Sequence, residues 1–208
     1  MVIPAVGFAD EIERFREDDL RHPPPPGGIL FVGDSDIRLW SADNRFAEDF
    51  AGLPALNRGF GGARTWETLL YFRDLVVPSC PRAIVYCCGD NDIAKLQERG
   101  IFNAVHGFRL FLDAVRAHAP SVRKVFYLAI HPSPVDEPLW GFIARANAQL
   151  RPLCVQSGLA EFVDYLPLLL DEQGRPRPEF FKPDRLHFTP AFYRQLGAFL
   201  RPTLERDQ

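Results

Sequence analysis

Ser35, Asn91, Asp184 and His187 have the side-chain types that acyl transfer uses, and each lies in a short segment that follows an apolar run or precedes the last helical stretch. Acyl transfer needs an activated hydroxyl, a base that takes its proton and returns it to the leaving group, and donors aimed at the developing oxyanion. Ser35 follows a strand-like run and a glycine, a placement that could expose its hydroxyl at a sheet edge. His187 is the best base among five histidines, because Asp184 lies three residues before it. That carboxylate could fix the imidazole tautomer and stabilise the imidazolium. Ile37 stands where a Gly-x-Ser-x-Gly elbow would have its second glycine, which disfavours the α/β-hydrolase arrangement.

These residues need a scaffold that brings distant parts of the chain together. The run Ile29-Leu30-Phe31-Val32 is short, wholly apolar and ends at Gly33, as a strand buried on both faces would. A second strand is expected to end near Leu56-Asn57, a third to cover Ala83 to Cys88, a fourth Val122 to Ile130, and a fifth Phe162 to Asp164. Helical spacing covers Thr65 to about Val77, Ile101 to His118, Glu137 to Ser157, and a closing stretch from Pro190 to about Leu204. Buried strands alternating with helices predict an α/β domain with a mainly parallel sheet. Such sheets bind ligands beyond the carboxyl ends of their strands, and those ends deliver Gly33 to Asp36, Asn57 to Gly62 and Gly89 to Asp92.

Residues Gly7 to Leu20 read as an N-terminal helix, and the four prolines at 23 to 26 break it. The expected organisation is therefore a helix and proline-rich connector over 1–28, tied as an appendage to a catalytic domain over 29–208. With 208 residues, 47% hydrophobic and 25% charged, the chain suits one globular domain. The net charge of −3 and the absence of a basic stripe disfavour nucleic-acid binding. Apolar runs of six residues fall well short of the roughly 18 needed to span a bilayer. Val2 to Ala9 lack a preceding basic region and run into Asp10 and Glu11, unlike a secretory signal, so a cytoplasmic location is expected. Cys80, Cys87, Cys88 and Cys154 show no CxxC spacing and read as buried free thiols.

In order and spacing, the four blocks Phe31-Val32-Gly33-Asp34-Ser35, Asn57 to Gly62, Gly89-Asp90-Asn91-Asp92 and Asp184 to His187 resemble the SGNH hydrolases, also called GDSL-type esterases and lipases. The resemblance covers Ile29 to roughly Leu200. It implies a flavodoxin-like three-layer α/β/α sandwich with five parallel strands, a Ser35 nucleophile with Asp184 and His187, and esterase chemistry without cofactor or metal. It also implies an oxyanion hole made from the backbone N–H groups of Ser35 and Gly62 and the side-chain amide of Asn91. The expected partner is a small-molecule ester such as an acetyl ester or lysolipid.

The chain departs from the usual pattern at several positions. Asp36 stands where the family name has Leu, and Ala63-Arg64-Thr65 where relatives often read Asp-Thr-Thr. Arg64 with Arg38 and Arg58 could favour an anionic substrate, and Phe60 and Phe181 neighbour the blocks closely enough to wall an acyl pocket. His131 also follows a strand but has no carboxylate near it in sequence. Two other readings compete with the esterase. One is a metal-dependent phosphoesterase using Asp34, Asp90, Asn91, Asp92, Asp184 and His187, although hydrolytic metal sites usually draw on more histidines. The other is a non-catalytic binding module of the same fold, against which the intact Ser, Asn and His argue.

Overall fold

β1 (Ile29–Gly33) is buried at every residue, and its side chains divide between two cores, Leu30 and Val32 in one, Ile29 and Phe31 in the other. Side chains alternate across a strand, so a strand covered on both faces reads as a continuous apolar run. The computed structural model describes residues 7–206, so most of the apolar stretch from Val2 lies outside the described residues. β2 (Ala55–Gly59), β3 (Ala83–Cys87), β4 (Lys124–Leu128) and β5 (Ala160–Val163) complete a five-stranded, all-parallel sheet in the order β2-β1-β3-β4-β5.

The helices in the first half of the chain are α1 (Ala9–Arg21), α2 (Ser35–Trp40), α3 (Arg45–Asp49), α4 (Thr65–Leu70), α5 (Phe72–Leu75) and α6 (Asp90–Leu96). They are followed by α7 (Glu98–His118), α8 (Trp140–Ser157), α9 (Leu166–Leu169) and α10 (Pro190–Arg206). One core lies between the sheet and α1 and α4 to α8, and includes Phe72, Ile93, Phe108 and Leu150. The other lies between the sheet and α2, α3, α9 and α10, and includes Trp40, Phe46, Leu169 and Phe192. The expected α/β/α sandwich is therefore present.

Several boundaries differ from those read in the sequence. The helical pattern from Thr65 is broken at Tyr71 and ends in a 3₁₀ turn over Val77–Ser79, where Pro78 removes a donor. β2 runs on to Gly59, and β5 starts two residues earlier than expected and ends at Val163. β4 stops at Leu128, and the Asn147 side chain takes the backbone of Ile130, accepting from its N–H at 3.0 Å and donating to its carbonyl at 2.7 Å.

Helix α1 is packed more closely than an appendage implies. Ile12 is buried in the first core, Phe8 meets Phe60 edge to face at 5.2 Å, and Asp19 accepts from the buried Arg58 guanidinium. Cys87, Cys88 and Cys154 are buried as expected, whereas Cys80 is exposed at a turn. Among the described residues no helix is long and apolar enough to cross a membrane.

Candidate active site

Two close backbone approaches place Ser35. A Cβ at Gly33 would lie 2.0 Å from the Cys87 carbonyl oxygen, and one at Gly59 would lie 2.3 Å from the Arg38 nitrogen, so only glycine lets β1 and β2 end this close to their neighbours. Helix α2 begins at Ser35, and the Asp34 carboxylate caps it by accepting from the Asp36 N–H at 2.9 Å. The first amides of a helix have no intrahelical acceptor. Strand order reverses between β1 and β3, the crevice position at which open α/β sheets bind ligands. Ser35 follows β1 and Asn91 follows β3.

The Ser35 hydroxyl lies 3.1 Å from His187 Nε2, and His187 Nδ1 lies 2.8 Å from Asp184 Oδ2. The other Asp184 oxygen accepts from the Leu186 and His187 N–H groups at 2.9 and 3.0 Å, which ties the loop to its own carboxylate. Partial burial disfavours the Asp184 charge, but the bonds from His187 and these two amides outweigh it and hold the group at about 2. Asp184 is therefore ionised at neutral pH beside the imidazole.

Gly62 has φ +77°, a conformation that glycine adopts without strain. The carbonyl of the next residue, Ala63, accepts from Asn91 Nδ2 at 3.3 Å and from Cys88 Sγ at 3.4 Å, so the end of β3 holds this turn. Asn91 Nδ2 also donates to Asp90 Oδ1 at 3.1 Å. Asp92 accepts from Thr65 N–H and Oγ1 at 2.8 and 3.0 Å, and burial pushes it up to about 6 against those bonds. Ser35, Gly62 and Asn91 thus come from three segments, the first turn of α2, the turn after β2 and the first turn of α6, that follow the carboxyl ends of β1, β2 and β3.

Other sequence candidates occupy different places. Phe60 lies in the core beneath Phe8 and Tyr71, and Phe181 is buried beside His131 and Phe188. Arg64 is paired with Glu67, Arg58 with Asp19 and Arg38 with Glu11, so each guanidinium already has a carboxylate partner. The proposed metal ligands do not act as one set, since Asp184 and His187 bind each other and Asp92 holds Thr65. Asp34, Asp36 and Cys87 do cluster, but all three are buried, and burial raises each of them toward its neutral form.

A cleft of about 90 Å³ opens beside Ser35, Asn91 and His131, with Asp90 and Asp136 in its wall. Its apolar lining is Ala94, Leu139, Ile143 and Leu186. Sequence reading missed these four. Their only signals were spacing: Ala94 lies one turn beyond Asn91 on α6, Ile143 four residues beyond Leu139 at the start of α8, and Leu186 immediately before His187.

The sheet order defines a flavodoxin-like α/β protein, and the candidate polar groups gather at the carboxyl ends of its strands. Within that class, the chain belongs to the GDSL-like Lipase/Acylhydrolase family, whose model matches residues 32–195. It is 25% identical over 189 residues to platelet-activating factor acetylhydrolase IB subunit alpha1 of Bos taurus, an alignment covering 86% of this chain and 78% of the bovine one. A Streptococcus pneumonia protein provisionally described as a platelet activating factor has a similar structure, with a TM-score of 0.82 at 23% identity over 94% of this chain and 92% of that one. The acetylxylan esterase Axe2 of Geobacillus stearothermophilus gives a TM-score of 0.67 at 16% identity over 86% of this chain and 95% of that one. Family membership makes the chain an acyl ester hydrolase in broad class.

Proposed function

We propose that the chain hydrolyses small, uncharged acyl esters through an acyl-enzyme on Ser35. The observation that carries this reading is the continuous contact from the Ser35 hydroxyl through His187 to Asp184. In the first half-reaction Ser35 Oγ bonds to the ester carbonyl carbon while its proton passes to His187 Nε2. The oxyanion so formed meets the N–H groups of Ser35 and Gly62 and the Asn91 amide, which exchanges its contact with Ala63 or Asp90 for the substrate oxygen. Collapse breaks the bond to the alkoxy oxygen, and His187 protonates the leaving alcohol. Water then attacks the acyl-enzyme, gives its proton to His187, and the acid leaves as Ser35 regains its hydrogen. Asp184 holds the imidazole tautomer and stays ionised throughout.

The cleft supports a short acyl group. Its volume of about 90 Å³ is well below the roughly 300–1,000 Å³ of sites that enclose drug-sized ligands, which suits an acetyl or slightly longer chain against Ala94, Leu139, Ile143 and Leu186. Asp90 and Asp136 in the wall work against an anionic substrate. The deciding experiment combines intact-protein mass after treatment with a serine-directed organophosphate, peptide mapping of the adduct, and a panel of chromogenic esters. An adduct on Ser35 with loss of esterase activity is expected. Full activity after stoichiometric labelling of Ser35 would reject the reading.

A further inference from the structure

His131 makes contacts that the hydrolytic steps do not use. Its ring is buried, with side-chain exposure of 5%, and lies between the two segments that must meet for Ser35 and His187 to touch. On one side, Nδ1 is 3.5 Å from Asp36 Oδ2, and Asp36 is the residue after Ser35 in α2. On the other, the ring packs on Phe188, the residue after His187, with centroids 4.4 Å apart, and sits 6.1 Å from Phe181.

The segment around His131 is itself held firmly. Asn147 binds both backbone groups of Ile130. A few residues on, Val135 N–H donates to the Arg185 carbonyl at 3.3 Å, and the Arg185 guanidinium donates to the Pro134 carbonyl at 2.9 Å. The loop after β4 is thus joined at two further points to the loop carrying Asp184 and His187. We propose that His131 is a positioning residue that, wedged between Asp36 and Phe188, sets the distance and angle between the Ser35 hydroxyl and the His187 ring.

Burial pushes His131 down to about 4, against the opposing pull of Asp90 and the Leu186 carbonyl. At neutral pH it is therefore an uncharged imidazole, and its work is packing on Phe188 and polar contact with Asp36. Although His131 also borders the cleft, the positioning role acts through His187, where a misplacement of about 1 Å between reacting groups can lower turnover by around 100-fold.

The inference rests on the Ser35 and His187 roles proposed above, and the test separates the two. Steady-state hydrolysis of p-nitrophenyl acetate is measured for the full chain and for Ser35→Ala, His187→Ala, His131→Phe, His131→Gln and the double variant His187→Ala/His131→Phe. Undiminished activity in Ser35→Ala would sink the parent reading, whatever His131 does. The positioning role predicts that His131→Phe lowers kcat by about 10- to 100-fold with KM within about twofold. His131→Gln, which restores a side-chain N–H, should recover most of that loss. In the His187→Ala background, His131→Phe should cause no further fall, since the group it positions is gone. A wild-type kcat in His131→Phe, or a loss of equal size with and without His187, overturns the proposal. If His131→Phe does not fold, Phe188→Leu loosens the same contact and takes its place in both backgrounds, with the same expected fall and the same overturning results.

Discussion

Ser35 Oγ and His187 Nε2 lie 3.1 Å apart although 152 positions separate them in the chain. Ser35 is held from β1 by the Gly33 and Gly59 approaches, and His187 from the loop before α10 by Asp184.

Replacing either partner should remove the chemistry and keep the fold. Ser35 and His187 are partly exposed residues at the sheet edge, so Ser35→Ala and His187→Ala should each retain the wild-type melting transition. Each should lower kcat by ~10⁴-fold or more, since residues acting as one unit fail together. Near-normal turnover in either variant would remove that residue from the mechanism.

Asn91→Ala tests the donor at the end of β3. Loss of one oxyanion donor costs ~3 to 4 kcal/mol in the transition state, or about 10²- to 10³-fold in kcat. The fall should appear in kcat with KM little changed, and a change confined to KM would make Asn91 a binding group only. The Ala63 carbonyl keeps its contact with Cys88 in this variant, so the turn at Gly62 should persist.

Acyl length and charge give an independent check on the cleft. With about 90 Å³ available, kcat/KM should be highest for acetyl to butyryl esters and fall by at least about tenfold by octanoyl, one tenfold step being 1.4 kcal/mol. A neutral ester should outperform a succinyl ester of similar length, because Asp90 and Asp136 line the wall and Arg38, Arg58 and Arg64 are already paired. Parity between acetyl and octanoyl esters, or a preference for the succinyl ester, would contradict this picture.

Asp92 should make itself felt in stability rather than in rate. Burial raises it to about 6, above the ~3.9 of an unfolded aspartic acid, so between those values the folded chain binds more protons than the unfolded one. Its contribution is therefore full below about pH 4 and is lost as pH rises through about 6. His131, lowered to about 4, has the opposite sign: its contribution is full above the unfolded histidine range and is lost on acidification. The diagnostic quantity is the difference in unfolding free energy between wild type and Asp92→Asn. On going from pH 7 to 4 it should move by ~2 to 3 kcal/mol in favour of wild type, and a flat difference would show that Asp92 titrates normally.

Much of this was legible in the sequence, for identifiable reasons. Strands covered on both faces leave uninterrupted apolar runs, so β1 and β3 could be read almost to the residue. Ser35 and Asn91 come just after β1 and β3, and Asp184-x-x-His187 lies just before α10, so the constellation could be read from local order and its resemblance to a known family. Partnerships across the fold were less accessible. Nothing in the spacing of Asp19 and Arg58, or of Asp36 and His131, says that they meet, because their contacts depend on how separate layers pack. The arginines looked available because their neutralising carboxylates lie on other elements or along a capping turn, as with Glu67. The break at Tyr71 was missed because the apolar period runs on through it, from Leu69 to Phe72 and Leu75.

The clasp between α1 and the end of β2 gives the leading helix a stake in the far side of the molecule. Arg58 sits under that helix, its guanidinium over the Phe15 ring at 4.8 Å and bonded to Asp19, one residue before Gly59 and four before Gly62. A truncated chain starting at the prolines would strip the Arg58 guanidinium of Asp19 and of the Phe15 ring and open it to water, and would bare the ring of Phe60 beside it. Trimming the amino end would then slacken the glycine turn from behind, so the leading helix acts as a back-wall for the segment that carries Gly62.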